Sequence, residues 1–84
     1  MRIVICAYDY REAEQVRRRM QLAQAWVVYA SDEWKLQGLG TQAIGVVTTP
    51  RFSARRGSLA VLEELARLEA LGTKLHRLTC PEGI

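Results

Sequence analysis

Histidine and cysteine are nearly missing from this chain: 84 residues hold one of the first and two of the second. His76 stands alone, and Cys6 and Cys80 have neither C-x-x-C spacing nor a histidine at ligand spacing. A structural zinc site needs about four ligands, and a histidine-based triad needs an acid and a nucleophile around the imidazole, so neither is expected. Two free buried thiols in a reducing cytoplasm are the simpler reading. Long hydrophobic runs are absent as well. No segment approaches the roughly 20 apolar residues that span a bilayer. The run after Met1-Arg2 is too short for a secretory signal and is closed by Tyr8-Asp9-Tyr10. A soluble, cytoplasmic protein with no membrane partner is therefore expected. Lysine is scarce, with ten of the twelve basic residues being arginine, and the net charge is only +3. So mild an excess favours acidic or nucleic-acid partners without requiring them. Repeats, low-complexity tracts and linkers are also missing. Residues 1–84 read as a single domain, near the lower size for a core built without disulfides or metal.

What is present is an alternation of strand and helix signals. Ile3, Val4, Ile5, Cys6 and Ala7 run without polar interruption, the pattern of a central strand in a parallel sheet with both faces covered. Asp9 and Glu12 form the D-x-x-E spacing of a capping box. The helix it starts is predicted through about Gln24, with Ala13, Val16, Met20 and Ala23 facing inward and Glu14 paired to Arg18. Arg17-Arg18-Arg19 fans over about 200 degrees of helix, so it reads as a solvated face rather than one nucleic-acid stripe. Trp26 to Ala30 predicts a second buried strand. Ser31 then caps a short helix with Asp32 and Glu33 in its first turn, pinned to the sheet by Trp34 and Leu36 and ended by Gly38. Gly38-Leu39-Gly40 lacks the third glycine of a dinucleotide fingerprint and precedes a strand, so it reads as a turn. Ala43 to Thr48 is the third strand, ended by Thr49-Pro50. Ser58, or Ser53 five residues earlier, caps a helix with an apolar stripe of Val61, Leu62, Leu65 and Leu68 and with Gly72 at its end. Lys74 to Cys80 gives a polar edge strand, and Pro81 to Ile84 a short tail.

This order predicts a small Rossmann-like α/β domain: a parallel sheet of four strands, order 2-1-3-4, joined by right-handed crossovers. Handedness puts the first helix on one face and the later helical segments on the other. One helix is thin cover for four strands, so part of the sheet near strands three and four, or the fourth-strand edge, is expected to be exposed unless a second copy packs there. A homodimer is the resulting expectation.

Ligands of such sheets bind outside the carboxyl ends of the strands. The chain offers Asp9, Tyr10 and Arg11 after strand one, Asp32 after strand two, and Thr49, Arg51, Arg55, Arg56, Gly57 and Ser58 after strand three. The last group combines arginines able to grip phosphate with a helix entrance, and is the phosphate or anion candidate. A solvated, arginine-rich loop is its plainer reading. Asp9 and Asp32 are the one pair of carboxylates suited to metal-dependent hydrolysis, and both already serve helix starts. No catalytic residue, metal or cofactor is assigned.

The opening MRIVICAYDYREAEQ faintly resembles the start of serine-recombinase catalytic domains, without their nucleophilic serine. Response-regulator receivers share the small alternating fold, but their phospho-accepting aspartate is replaced here by Thr48, and there is no Walker A motif. The strand-first form, the arginine bias and the phrase VVYASDEWKLQGL together resemble small uncharacterised Rossmann-like proteins carried by actinobacterial phages. That resemblance implies a small protein of the host cytoplasm, made during infection, that binds a host protein; it names no active site. The leading functional expectation is thus a non-catalytic, self-associating interaction protein, a phage accessory or host-directed modulator. The alternative is a module binding a phosphate-bearing ligand, nucleotide or nucleic acid, through the arginine loop.

Overall fold

A computed structural model describes residues 2–31, 33–36, 39 and 43–84, the side chains of 33 and 34 excepted. Its centre is β1 (Arg2–Cys6), in which Ile3 to Cys6 are all buried. Parallel neighbours flank it, β2 (Val27–Tyr29) on one edge and β3 (Ile44–Thr48) on the other, and β4 (Leu75–Leu78) adds to β3. The sheet order is β2-β1-β3-β4, the predicted α/β topology.

Alternation along β1 divides the core. Val4 and Cys6 face α2 (Ser58–Ala70), where Val61, Leu65 and Phe52 meet Ile44 and Val46. Leu36, on a single 3-10 turn at Glu33–Leu36, is fully buried in the same cluster, as its predicted pinning role requires. Ile3 and Ile5 face α1 (Tyr10–Arg19), packing with Ala13, Val16 and Val47. Gly45 is on this second face because a Cβ there would sit 2.8 Å from Ile3 Cδ1 and 3.0 Å from Leu78 Cδ1. Its missing side chain lets those two close over β3.

Several boundaries differ from the sequence reading, each for a local reason. α1 ends at Arg19 because Gln21 turns left-handed at φ 55°, its N–H donating to Arg18 O at 3.1 Å and that of Leu22 to Arg17 O at 3.0 Å. These are the paired bonds of a Schellman end, built here on a residue other than glycine. Ala23 therefore leaves the helix, and Trp26, on a 3-10 turn at Gln24–Trp26, is 61% exposed rather than part of a buried strand. β2 is correspondingly a short, half-buried edge. α2 is entered through Gly57 at φ 86°, and Ser58 is its first helical residue, with its hydroxyl donating to Ser53 O at 3.4 Å. Leu62 faces outward, because Val61, Leu65 and Leu68 already complete the inward seam. Gly72, at φ 106°, ends α2 with the same paired bonds, Gly72 N–H to Glu69 O and Thr73 N–H to Leu68 O. Asp32 and Gly38, on which the short-helix reading partly rested, lie outside the described residues, as does the side chain of Trp34.

The three consecutive arginines diverge as the helical geometry demands. Arg17 grips Glu14 at 2.6 Å, Arg18 approaches it at 3.6 Å, and Arg19 donates to Glu82 O at 2.9 Å. That last bond belongs to a tail that is not loose: Cys80 and Ile84 pack against the α1-face cluster beside Leu78 and Val47. Cys80 and Ile84 thus cover part of the sheet that one helix leaves open. Among the described residues no helix is long and apolar enough to cross a membrane.

The left-handed Gln21 is a correctable strain. Gln21→Gly is expected to raise stability by about 0.5–1 kcal/mol, because glycine adopts this conformation without a Cβ clash. A urea midpoint unchanged or lowered in this variant would contradict the helix end described.

Candidate functional site

All strands being parallel, their carboxyl ends open on one edge of the sheet, and the chain leaves β1, β2 and β3 there in three adjacent loops. Backbone bonds extend the ladder into them, Thr49 N–H to Cys6 O at 2.9 Å and Ala30 N–H to Ile5 O at 3.0 Å. Two charged side chains then tie the loops together.

The first is Glu12, buried in the first turn of α1. Asp9 caps this helix, accepting from Glu12 N–H at 2.8 Å, as the D-x-x-E spacing predicts. The return bond reaches one residue further back than a capping box requires: Tyr8 N–H donates to the Glu12 carboxylate at 2.9 Å. Thr49, buried at the end of β3, donates its hydroxyl to the same oxygen, and Arg51 Nη1 stands 3.8 Å from the other. Glu12 therefore joins the β1 loop to the β3 loop. The guanidinium of Arg51 also lies 4.5 Å over the ring of Tyr8, a cation–π contact that covers this joint.

The second is Arg55, placed after a 3-10 turn at Phe52–Ala54 that is anchored by the buried Phe52 ring. Its Nη1 donates to Tyr8 O at 2.7 Å and its Nη2 to Ser31 O at 3.4 Å, so it joins the loops after β1 and β2. Its Nε is buried with no hydrogen-bond partner among the described residues.

Two cavities meet at Arg55 and Asp9. The smaller, about 320 Å³, lies between Tyr8, Asp9, Arg55 and Arg56. The larger, about 510 Å³, has an apolar floor of Ile5, Ala7, Ala13 and Val27 with Tyr10 and Tyr29, and a polar rim that includes Asp9, Ser31, Lys35 and Arg55. The rings of Tyr10 and Tyr29 meet edge to face with centroids 5.1 Å apart. The Tyr29 hydroxyl donates to Glu14, the carboxylate that Arg17 grips. Bonding to Arg17, then to Tyr29, holds Glu14 down at about 2, and burial together with the Glu14 bond pushes Tyr29 up to about 12. The tyrosine stays neutral and its ring is fixed.

The structure sorts the residues proposed from sequence. Arg55 and Arg56 line the crevice, as do Asp9 and Tyr10. Thr49 and Arg51 serve the Glu12 joint, and Ser58 bonds Ser53. Gly57 and Arg11 are exposed and line neither cavity, and Asp32 lies outside the described residues. The sequence reading missed Glu12 as a bridge between loops, Tyr29 as a wall, and Ala7, Ala13 and Lys35 as lining. Ala7 carried a signal, being the small residue that closes the bulky run Ile3 to Cys6, whereas Ala13, between Glu12 and Glu14, carried none beyond its inward helical spacing. Cys6 is buried beside Thr48, and burial pushes its thiol up to about 11, which leaves it protonated and inert. Among the described residues no three or more His, Cys, Asp or Glu side chains gather to hold a metal ion.

The chain is thus a four-stranded parallel α/β domain with a two-part crevice at its strand ends. No protein-family model matches it, and no curated protein or solved structure matches it significantly.

Glu14 gives the site a pH signature. Its folded pKa is depressed, so the stability it supplies is complete above its ordinary value of 4.5 and is lost as pH falls toward 2. Replacement by glutamine should flatten the stability curve in that window and leave its neutral-pH slope unchanged, as read by thermal melts from pH 7 to pH 2. A wild-type curve already flat there would contradict the network.

Proposed function

We propose that this chain is a binding module for a small phosphate-bearing ligand, seated in the strand-end crevice with Arg55 at its centre. The observation that carries the reading is the Arg55 side chain, which lines both cavities and whose buried Nε–H has no partner among the described residues. An unsatisfied donor of this kind costs about 1–3 kcal/mol, which is recovered when the guanidinium turns its Nε edge out to meet an acceptor in the crevice. Phosphate suits it, since it offers several acceptor oxygens to a guanidinium fork and a second cation, Arg56, stands beside the same cavity. The role is binding without turnover: Asp9, the candidate acid on the described side of the crevice, is committed to capping α1.

Calorimetric titration with pyrophosphate at low salt tests this. Arg55→Lys keeps the charge but loses the fork and should weaken binding about tenfold or more, and Arg56→Ala severalfold. Arg51→Ala should have little effect, because Arg51 faces Glu12 and Tyr8. Absence of saturable binding, or binding indifferent to Arg55→Lys in a variant with a native spectrum, sinks the reading.

A second reading, a self-associating interaction protein, is favoured by Leu59 and Leu62, which are 67% and 42% exposed on one side of α2. Such leucines three residues apart suit a second copy or a host protein. Sedimentation velocity at micromolar concentration should then show a dimer that Leu59→Glu with Leu62→Glu converts to monomer. A monomeric wild type would remove this reading and leave the first untouched.

A further inference from the structure

We infer that the ligand carries an aromatic ring bonded to its phosphate-bearing part, the ring seated in the larger cavity against Tyr10 and the phosphate at Arg55, so that the site takes a mononucleotide rather than a strand of nucleic acid. The inference rests on the phosphate-binding reading above and deepens it.

Three observations converge. The larger cavity has a volume of about 510 Å³, within the range of small-molecule sites, and its floor is apolar. A phosphate alone has no use for it. The space exists because Ala7 and Ala13, both buried, stand where β1 and α1 would otherwise fill it with larger side chains.

The second observation is Tyr10, which is 61% exposed at the rim. An aromatic ring left in solvent beside an apolar cleft is a stacking surface, and this one is pre-oriented. Its edge-to-face partner Tyr29 is locked by the bond to Glu14, which Arg17 holds in turn. A planar base gains more from such a wall than a flexible chain does, since both partners are already ordered.

The third is continuity. Asp9 and Arg55 border both cavities, so one molecule can place an apolar ring in the larger and an anion in the smaller. Single-stranded nucleic acid is bound along grooves that offer successive stacking platforms and a line of cations. Here, among the described residues, Tyr10 is the one exposed ring lining the crevice, and its cations, Arg55, Arg56 and Lys35, surround a compact space rather than lining a track, which suits a single nucleotide.

The probes are the four common nucleoside monophosphates, inorganic phosphate, butyl phosphate and a short single-stranded oligonucleotide, titrated against wild type, Tyr10→Ala, Ala13→Leu and Arg55→Lys. The best monophosphate should bind at least tenfold tighter than inorganic phosphate or butyl phosphate. Tyr10→Ala, at an exposed position, should remove most of that advantage and leave phosphate binding unchanged. Ala13→Leu, which fills the cavity, should do the same, while Arg55→Lys should weaken monophosphate and phosphate alike. Equal affinity for monophosphate and inorganic phosphate overturns the ring assignment while the phosphate site stands. Butyl phosphate binding as tightly as the best monophosphate, or the oligonucleotide binding tighter, also overturns it. No binding of any probe fails the underlying reading itself.

Discussion

A strand buried on both faces needs hydrogen-bonding neighbours along both edges and apolar cover above and below, and β1 meets all four demands within 84 residues. Its parallel neighbours force crossovers, and right-handed crossovers place α1 on one face and α2 on the other. Each helix is too narrow to cover the sheet alone. The gaps are closed by short pieces: Leu36 and Phe52 on the α2 face, Cys80 and Ile84 on the α1 face. Ile3, Val4 and Ile5 of β1 each contribute about 1.5–3 kcal/mol by area, which a domain this small cannot replace elsewhere.

The same constraint fixes where the loops emerge. Parallel strands deliver three connections to one edge, where unpaired carbonyls and amides would otherwise compete for water. Glu12 and Arg55 answer this with opposite charges, the carboxylate accepting from Tyr8 N–H and the Thr49 hydroxyl, the guanidinium donating to Tyr8 O and Ser31 O. Tyr8 is held from both sides, by its N–H and by its carbonyl. The β1 loop is therefore the fixed member to which the β2 and β3 loops are tied, and the crevice is built on it.

The sheet was legible because its evidence is periodic. The unbroken run Ile3 to Ala7, the AIGVVT segment and the Val61, Leu65, Leu68 spacing define strand and helix faces independently of distant contacts. What escaped notice was decided by tertiary partners. Gln21 carries no sequence mark of a left-handed helix end, and that one φ exposed Trp26 and shortened the second strand. Leu62 obeyed the apolar pattern and still faces out, because pattern says which residues are apolar and not how wide the receiving surface is. At the strand ends, composition singled out the arginine loop as a group, and of its arginines Arg55 and Arg56 line the crevice. Only coordinates separate Arg55, turned inward to the backbone, from Arg51, turned to Glu12 and the Tyr8 ring.

The placement of the small residues is harder to account for by folding alone. At Ala13, flanked on its own helix by Val16 and facing Ile5, a larger apolar side chain would bury more surface, and surplus stability is what a domain of this size lacks. The chain instead keeps an apolar cleft open at that point and sets beside it a guanidinium whose Nε has no partner among the described residues. Either feature alone lowers stability. Together, at one end of one sheet and sharing Arg55, they are the two features on which the proposed ligand site rests: an apolar cleft and a guanidinium beside it. In this fold both departures from local optimality meet at the carboxyl ends of β1 and β2, and that coincidence is the physical ground for proposing a site there.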